Sequence, residues 1–297
     1  MSGRNDDKVV YAAASTRCNN SCVFCTDLSG TRRESRARVS ARDLRAPASG
    51  RRIVFTSSEP TLNKDLFALV ASAKKRGYTG IAVTTNGRML AYPDYCAKLL
   101  KSGVSEVIVS LHGATAAVHD AITGVPGSWE QTTAGLKNLL KFRRLAPDVY
   151  ISVNCTINAL NLRELGALKR FLLGLRGLKH AVFHGLRPAG RAQRRWRRLA
   201  VRYSGAVKAL AAGDWPGRLR VWDIPLCALD GRAPRRACEF ARAGTAYVAR
   251  AGEGVEALTG KIVLPCCAGC AALPRCGGVY RRYADLFGTK EFHALEA

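Results

Sequence analysis

Three cysteines near the start of the chain are spaced for metal chemistry. Cys18, Cys22 and Cys25 follow an apolar run in a C-x₃-C-x₂-C pattern. Three thiolates on one short loop can bind three irons of a cubane iron–sulfur cluster, which leaves the fourth iron without a protein ligand. Structural zinc, the alternative, takes four ligands, commonly from paired C-x₂-C units, and this loop has no fourth Cys or His close by in the sequence. The spacing therefore indicates a cluster with one open iron.

Further polar side chains follow other apolar runs. Glu59 stands in a Ser-Ser-Glu-Pro segment, Thr85 and Asn86 precede a glycine, and Ser110 begins a Ser-Leu-His-Gly segment. A carboxylate at such a place can pair with an ammonium group in a partly dry site. Asn-Gly by itself is a common turn. These segments stand in order at the ends of successive apolar runs. This placement predicts that they line one shared binding site.

The elements that would position these residues alternate in type through the first two-thirds of the chain. Apolar runs of strand length lie at residues 9–15, 53–56, 80–84, 106–111, 149–156 and 181–186. Amphipathic runs of helix length lie at residues 62–76, 92–102, 128–144 and 162–175. We expect Ser128 to cap the third helix with Gln131 as its capping-box partner.

This alternation predicts an α/β fold with a parallel sheet and right-handed crossovers. Six units indicate a curved, partly open (β/α)₆ barrel of the TIM type rather than a complete eightfold one. In such folds the chemistry gathers in the loops after the strand carboxyl ends. Every motif above falls at such a position. We expect a barrel core over residues 1–205 and a small Cys-rich extension over residues 206–297.

The cysteine loop, with the aromatic Phe24 before its last cysteine, resembles the signature of the radical S-adenosylmethionine (SAM) superfamily. The resemblance implies an enzyme in which SAM chelates the open iron of a [4Fe–4S] cluster through its amino and carboxylate groups. It also implies an external one-electron donor of the flavodoxin or ferredoxin type. The reduced cluster would cleave SAM to methionine and a 5′-deoxyadenosyl radical that abstracts a substrate hydrogen. Phe24 matches the family position that packs near the adenine.

The Ser-Ser-Glu-Pro segment resembles the Gly-Gly-Glu-Pro element of this family, whose backbone and glutamate hold the SAM amino group. The resemblance makes Ser58 and Glu59 candidate SAM contacts. Both family glycines are serines here, which puts the close approach of the backbone in question, since glycine tolerates such contact better. The further candidate SAM contacts are Thr85, Asn86, Ser110 and Asn154.

The stretch from Ser110 to Trp129 resembles radical SAM enzymes that carry SPASM or Twitch extensions. Those enzymes usually have an aspartate where His112 stands. His112 is therefore either a contact to substrate or SAM, or a histidine that merely ends a strand.

The tail contains a second cysteine group, Cys267, Cys270 and Cys276, in a C-x₂-C-x₅-C pattern similar to the central part of the SPASM motif. Tyr280 stands where the full motif continues with a further cysteine. The resemblance implies one auxiliary [4Fe–4S] cluster, as in Twitch-type domains, whose fourth ligand comes from upstream. Cys227 is the first choice, and Cys238 or Cys266 are the others. A Cys₄ zinc site is the alternative.

Eleven cysteines in clusters, without a signal-peptide pattern, indicate a reducing, cytoplasmic location, and no run of about 18 apolar residues predicts a membrane span. The net charge of +25 concentrates in residues 31–52 and 187–250. Such a field attracts an acidic peptide, a nucleotide or RNA. No aromatic residues recur through these stretches as a base-stacking platform requires, so RNA is not favoured and solvated surface is the plainer interpretation.

Three functions follow from these features. The first is modification of a ribosomally made peptide, with recognition by a separate protein or by the basic surface, because the first strand begins near residue 9. The second keeps the radical chemistry but acts on a nucleotide, small metabolite or RNA. The third, from another class, is a non-enzymatic zinc or nucleic-acid-binding protein.

Overall fold

The computed structural model describes residues 9–26, 39–44, 51–211, 215–229, 231–232, 238–239, 246–248, 260–276 and 278–296. One sheet dominates the described part. Its strands, in chain order, are β1 (Val9–Ala13), β2 (Arg52–Thr56), β3 (Gly80–Thr85), β4 (Glu106–Ser110), β5 (Tyr150–Thr156), β6 (His180–His184), β7 (Leu219–Trp222), β8 (Cys238–Glu239) and β9 (Ala246–Val248).

Ten α-helices lie in the described residues. They are α1 (Leu66–Lys75), α2 (Pro93–Lys101), α3 (Ala116–Thr123), α4 (Ser128–Phe142), α5 (Leu165–Gly174), α6 (Gly190–Arg194), α7 (Trp196–Leu199), α8 (Tyr203–Ala211), α9 (Leu273–Cys276) and α10 (Arg281–Phe287). None of these described helices is long and apolar enough to cross a membrane.

The strand order is β8-β7-β6-β5-β4-β3-β2-β1-β9, and every neighbouring pair is parallel. The six predicted strands are β1 to β6, in the predicted sequence, which confirms the α/β fold class. Sequence analysis missed β7, β8 and β9, which extend the sheet at its two edges. The parallel sheet therefore continues past residue 205.

The curvature of the sheet follows from how its edges are connected. β8 and β9 lie at opposite edges, yet only six residues, 240–245, separate Glu239 from Ala246. An extended chain of that length spans at most about 25 Å. The two edges must therefore approach each other, as in a partial barrel.

Alternate residues of each strand face opposite sides of the sheet. In β4, Val107 and Val109 are fully buried in the main core, between the sheet and the helices. Ile108 and Ser110 are half-buried on the other, inner face. A separate small cluster of Val9, Val54 and Ala82 packs on that inner face. The inner face at the carboxyl ends of the strands remains polar and accessible.

The start of α4 differs from the prediction. Its N-cap is Gly127 at φ 76°, and Ser128 is the first helical residue. The carboxylate of Asp120 replaces the predicted capping box, because its two oxygens accept hydrogen bonds from the backbone N–H groups of Gly127 (2.7 Å) and Trp129 (2.8 Å). Gln131 instead accepts a hydrogen bond from Arg88. Asp120 belongs to α3, a short helix that sequence analysis did not predict.

The tail packs against the barrel helices through aromatic side chains. It contains a second sheet, in which β10 (Lys261–Ile262) pairs antiparallel with β11 (Val279–Tyr280). Tyr283 of α10 stacks on Tyr203 of α8 with ring centroids 4.0 Å apart, and its hydroxyl accepts a hydrogen bond from the Tyr203 N–H. The Trp196 indole donates to the carbonyl of Arg282. These contacts fix the tail at the β6–β7 side of the barrel.

Candidate functional site

The cysteine loop leaves β1 and lies against the end of α3. The N–H groups of Ser21 and Val23 donate to the carbonyls of Thr123 (2.7 Å) and Ile122 (2.9 Å). Within the loop, the Cys25 N–H donates to the Cys22 carbonyl. The loop backbone is therefore held by another element of the fold.

The three thiols of this loop are close enough to influence each other electrostatically. Burial, together with the charges of Cys25 and Cys18, raises the pKa of Cys22 to about 12. Burial is also the main cause that raises the pKa of Cys18, with Glu59 and Cys25 adding to it. Three thiolates at this place therefore require a compensating cation, which the irons of a cluster supply.

The arrangement of donors also fits a cluster. In the described ranges, no three His, Cys, Asp or Glu side chains are gathered around one point the size of a single ion. A cubane does not need such a gathering, because its thiolates bind different irons.

The segment after β3 holds the cysteine loop from a second side. Asn86 donates through its side-chain amide to Asn19 Oδ1 (2.6 Å). The guanidinium of Arg88 donates to the Asn19 carbonyl and to Asn20 Oδ1. Sequence analysis did not single out Arg88, although it directly follows the Thr-Thr-Asn-Gly motif. Asn86, a predicted SAM contact, thus also positions the loop.

A third contact comes from α6, which sequence analysis also missed. The Arg191 N–H donates to the Cys25 carbonyl (2.8 Å), and its guanidinium reaches Ser21 Oγ and the Cys22 carbonyl. Gly190, at φ 55°, makes this approach possible, since a Cβ there would lie 2.4 Å from the Cys25 carbonyl oxygen. The sequence signal was a glycine followed by an arginine just after β6.

The Ser-Ser-Glu-Pro segment retains an unusual backbone. Ser57 and Ser58 have φ values of 68° and 48°, both in the left-handed region that favours glycine. The Glu59 N–H donates to the Arg17 carbonyl (2.9 Å), and this hydrogen bond connects the Ser-Ser-Glu-Pro segment to the cysteine loop. The serines thus keep a conformation that glycine adopts at lower cost.

Glu59 is almost completely buried between the ends of β2 and β3. One carboxylate oxygen accepts hydrogen bonds from the backbone and hydroxyl of Thr61 and from the Thr85 hydroxyl, and the other accepts from the Asn86 N–H. Burial raises the pKa of Glu59, and these donors work against that rise. Glu59 therefore joins the loop after β2 to the loop after β3. Its Oε2 accepts only the Asn86 N–H and keeps capacity for another donor.

The remaining predicted contacts lie on the inner face. Ser110 and Asn154 are register partners at the ends of β4 and β5, and both are half-buried. His112 is buried, and its Nδ1 accepts the Thr156 N–H, so that its proton is on Nε2. The Phe24 ring meets the His112 ring edge-on, with centroids 4.9 Å apart. The structure therefore brings Phe24, His112 and the residues that end β4 and β5 to the same end of the barrel, which we call the barrel mouth.

The tail cysteines surround one small cavity. It is lined by Cys227, Cys267, Cys270 and Cys276 together with His293 and mostly apolar residues. Burial, with the charges of Cys276 and Cys267, raises the pKa of the Cys227 thiol. Cys266 is outside this lining, and the side chain of Cys238 lies outside the described residues.

A buried ionic group joins β7 to the tail sheet. Asp223 accepts hydrogen bonds from Lys261 and from the Tyr280 hydroxyl (2.6 Å), and the Arg187 guanidinium lies 3.4 Å away. Burial alone would raise the pKa of Asp223, but Lys261 and Arg187 together hold it below its ordinary value. Tyr280, which replaces a motif cysteine, is thus an anchor between the two parts of the chain.

The three-cysteine loop and strands β2 to β4 lie in the part of the chain that matches a known family model. Residues 14–146 match the model of the Radical SAM superfamily. The matched residues therefore form a radical SAM domain.

Two of the curated relatives are enzymes of different kinds. An AdoMet-dependent heme synthase from Methanosarcina barkeri is 29% identical over 63% of this chain and 53% of its own length. A probable GTP 3′,8-cyclase from Methanopyrus kandleri is 29% identical over 61% of this chain and 59% of its own length. The chain thus spans little more than half the length of these relatives.

Solved structures share the fold at low identity. The [FeFe]-hydrogenase maturase HydG from Carboxydothermus hydrogenoformans is 12% identical, with a TM-score of 0.52, over 85% of this chain and 64% of that one. anSMEcpe with bound AdoMet and a Kp18Cys peptide is 16% identical, with a TM-score of 0.53, over 68% of this chain and 58% of that one.

Proposed function

We propose that this enzyme binds a [4Fe–4S] cluster through Cys18, Cys22 and Cys25 and cleaves SAM reductively to abstract a substrate hydrogen. The observation that carries the proposal is the loop itself, whose thiols couple electrostatically and whose backbone is held by three elements. The cluster supplies the electron that cleaves SAM, and an external one-electron donor must replenish it.

The residues around the loop would bind and orient SAM. Glu59 offers an oxygen with spare acceptor capacity for the SAM ammonium, beside Ser58. Phe24 provides an apolar face for the adenine. Polar groups on the inner face would bind the ribose and carboxylate, namely Thr85, Asn86, Ser110 and Asn154.

We further propose an auxiliary [4Fe–4S] cluster in the tail, with Cys227, Cys267, Cys270 and Cys276 as its ligands. The lining of one cavity by all four cysteines supports this set and favours Cys227 over Cys266 as the upstream ligand. The tail would then be a Twitch-like extension of the barrel.

The substrate we propose is a nucleotide or small metabolite. The relatives are named for haem synthesis and GTP cyclisation, and neither name involves a peptide. The peptide substrate expected from the tail motif receives no specific support from them. A basic protein with a charge of +25 also suits an anionic small molecule.

Anaerobic reconstitution with iron and sulfide tests both clusters at once. We expect about eight iron atoms per chain in the wild type, and about four in both Cys22→Ala and Cys270→Ala. With dithionite, the wild type should release 5′-deoxyadenosine, and Cys22→Ala should release none. Cys270→Ala should keep its first cluster.

Cys96→Ala is the matched control, because Cys96 is buried in α2, outside both groups. It should keep full iron content and SAM cleavage. Cleavage by Cys22→Ala would refute the SAM-binding cluster, and unchanged iron in Cys270→Ala would refute the auxiliary one.

A further inference from the structure

The inner face carries polar rings beyond the predicted SAM contacts. His184 ends β6 and Trp222 ends β7, and the two are register partners. Their neighbours in the strands, Phe183 and Val221, are fully buried in the main core. Because side chains alternate along a strand, His184 and Trp222 face the barrel interior. Their rings stack with centroids 5.8 Å apart.

Both rings contain a buried polar atom without a partner. His184 Nε2 and Trp222 Nε1 make no hydrogen bond to any described residue. Such atoms are rare in native proteins because each costs about 1–3 kcal/mol. The indole N–H can only donate, so it requires an acceptor. Of the five such atoms in the described residues, these two lie on stacked register partners, where one ligand would meet both.

The charge beside these rings is positive. Arg187 follows β6 and Lys261 comes from the tail sheet, and both face one carboxylate, that of Asp223. Burial and the Arg187 charge lower the pKa of His184 to about 3, so its ring adds no positive charge at neutral pH. Arg187, whose side chain is one-third exposed, offers an oxyanion a cationic donor beside these rings.

The position is also next to the cysteine loop. His184 is the register partner of Thr156, whose N–H donates to His112 Nδ1. His112 in turn contacts Phe24, directly before Cys25. A ligand bound to His184 and Trp222 would therefore lie at the barrel mouth, on the opposite side from the proposed SAM contacts on β2 to β5.

We propose that Trp222, His184 and Arg187 bind an oxyanion of the substrate, a carboxylate or phosphate, and so orient the substrate toward the cluster loop. Trp222 Nε1 and the Arg187 guanidinium donate to its oxygens. This assignment rests on the proposed function, since it gives the substrate of that site its chemical class. Carboxylate and phosphate share the chemistry, and the experiment distinguishes them.

The test is calorimetric titration of the anaerobically reconstituted enzyme, with SAM bound, using succinate, inorganic phosphate and uncharged succinamide. We expect one of the two anions to bind and succinamide not to bind. Trp222→Phe keeps a ring but removes the N–H, and Arg187→Gln removes the charge. Each should weaken anion binding about tenfold or more, the effect of losing a hydrogen bond to a charged group.

Trp215→Phe is the matched control for the ring. Its indole N–H is also buried without a described partner, but it precedes β7, at the opposite end of that strand from Trp222. Arg197→Gln, at an exposed arginine, controls for net charge. Both should bind the anion like the wild type.

Equal anion binding by Trp222→Phe and Trp215→Phe would overturn the proposal, as would binding of succinamide or of neither anion. Arg187→Gln keeps the test valid if Trp222→Phe unfolds, because Arg187 is one-third exposed. Anion binding without SAM cleavage by the wild type would refute the function instead. SAM cleavage by the wild type, together with anion binding that does not depend on Trp222, would refute the oxyanion site alone.

Discussion

Individual backbone conformations show how the site tolerates a departure from its family pattern. The sequence raised the question whether serines can replace the two glycines before Glu59. In the structure both serines adopt positive φ, at 68° and 48°. The loop therefore keeps its shape, and the cost is local strain of about 1–2 kcal/mol per residue. The sequence showed the substitution but not its backbone consequence, because φ is set by the loop around Glu59.

Ser57→Gly should stabilise the protein. Glycine relieves the left-handed strain but gains more freedom in the unfolded chain, so the net gain should be about 0.5–1 kcal/mol. Thermal unfolding should show a melting temperature higher by about 1–3 °C. Ser204→Gly, inside α8, is the control and should lower it. An equal decrease of the melting temperature in Ser57→Gly and Ser204→Gly would contradict backbone strain at Ser57.

Gly190→Ala should weaken the hold on the cysteine loop. The added Cβ would lie 2.4 Å from the Cys25 carbonyl oxygen and 2.8 Å from the Thr26 Cα, both of them backbone atoms. We expect a loss of stability of about 1–3 kcal/mol, from strain and overpacking, and lower iron content after reconstitution.

Gly205→Ala is the control for that change, since nothing lies within 4 Å of a Cβ at this position in α8. Helix propensity should raise its stability by up to about 1 kcal/mol. If Gly190→Ala retained full iron content and melted with the wild type, α6 would have no part in holding the loop.

The elements that sequence patterns predict well are the ones with strong periodicity. β1 to β6 are apolar runs bounded by turn residues, and their alternation with helices fixes a parallel sheet. The short α3, with eight residues, escaped because it contains little more than two turns. β8 and β9, with two and three residues, are too short for any pattern. Their pairing depends on tertiary contacts that the local sequence does not specify.

At the level of elements, the Asp223 group ties β7 to the tail. Asp223→Asn should remove the anion between two cations and cost about 3–5 kcal/mol at pH 7, because a buried charge is left uncompensated. Asparagine tolerates the φ of 62° at this position, so backbone strain does not contribute. Chemical denaturation measures the difference.

The pH dependence of that difference has a definite sign. The pKa of Asp223 is held below its ordinary 3.8, so its stabilisation is complete above that value and is lost as the pH falls through the lower folded-state pKa. The difference in the free energy of unfolding between the wild type and Asp223→Asn should therefore become smaller below pH 3.8. Asp285→Asn, at an exposed position in α10, should change stability by less than about 0.5 kcal/mol. A gap independent of pH would exclude this role for the carboxylate.

For the whole molecule, residue spacing predicts where the chemistry lies and leaves the substrate open. The three-cysteine loop and the strand-end motifs could be predicted because a cluster and its ligand would constrain residue type and order. The residues that hold the loop, Arg88, Gly190 and Arg191, could not, since they come from distant segments and act through geometry. The proposed oxyanion position depends on buried atoms that have no partner among the described residues, which no sequence pattern reveals.

The proposed SAM cleavage depends most on an iron vertex that the three cysteines leave open for SAM. Electron paramagnetic resonance of the dithionite-reduced Cys270→Ala variant measures this directly, because the first cluster is then observed alone. We predict a [4Fe–4S]⁺ signal whose g-values shift when SAM is added. A signal that does not change with saturating SAM would contradict the account.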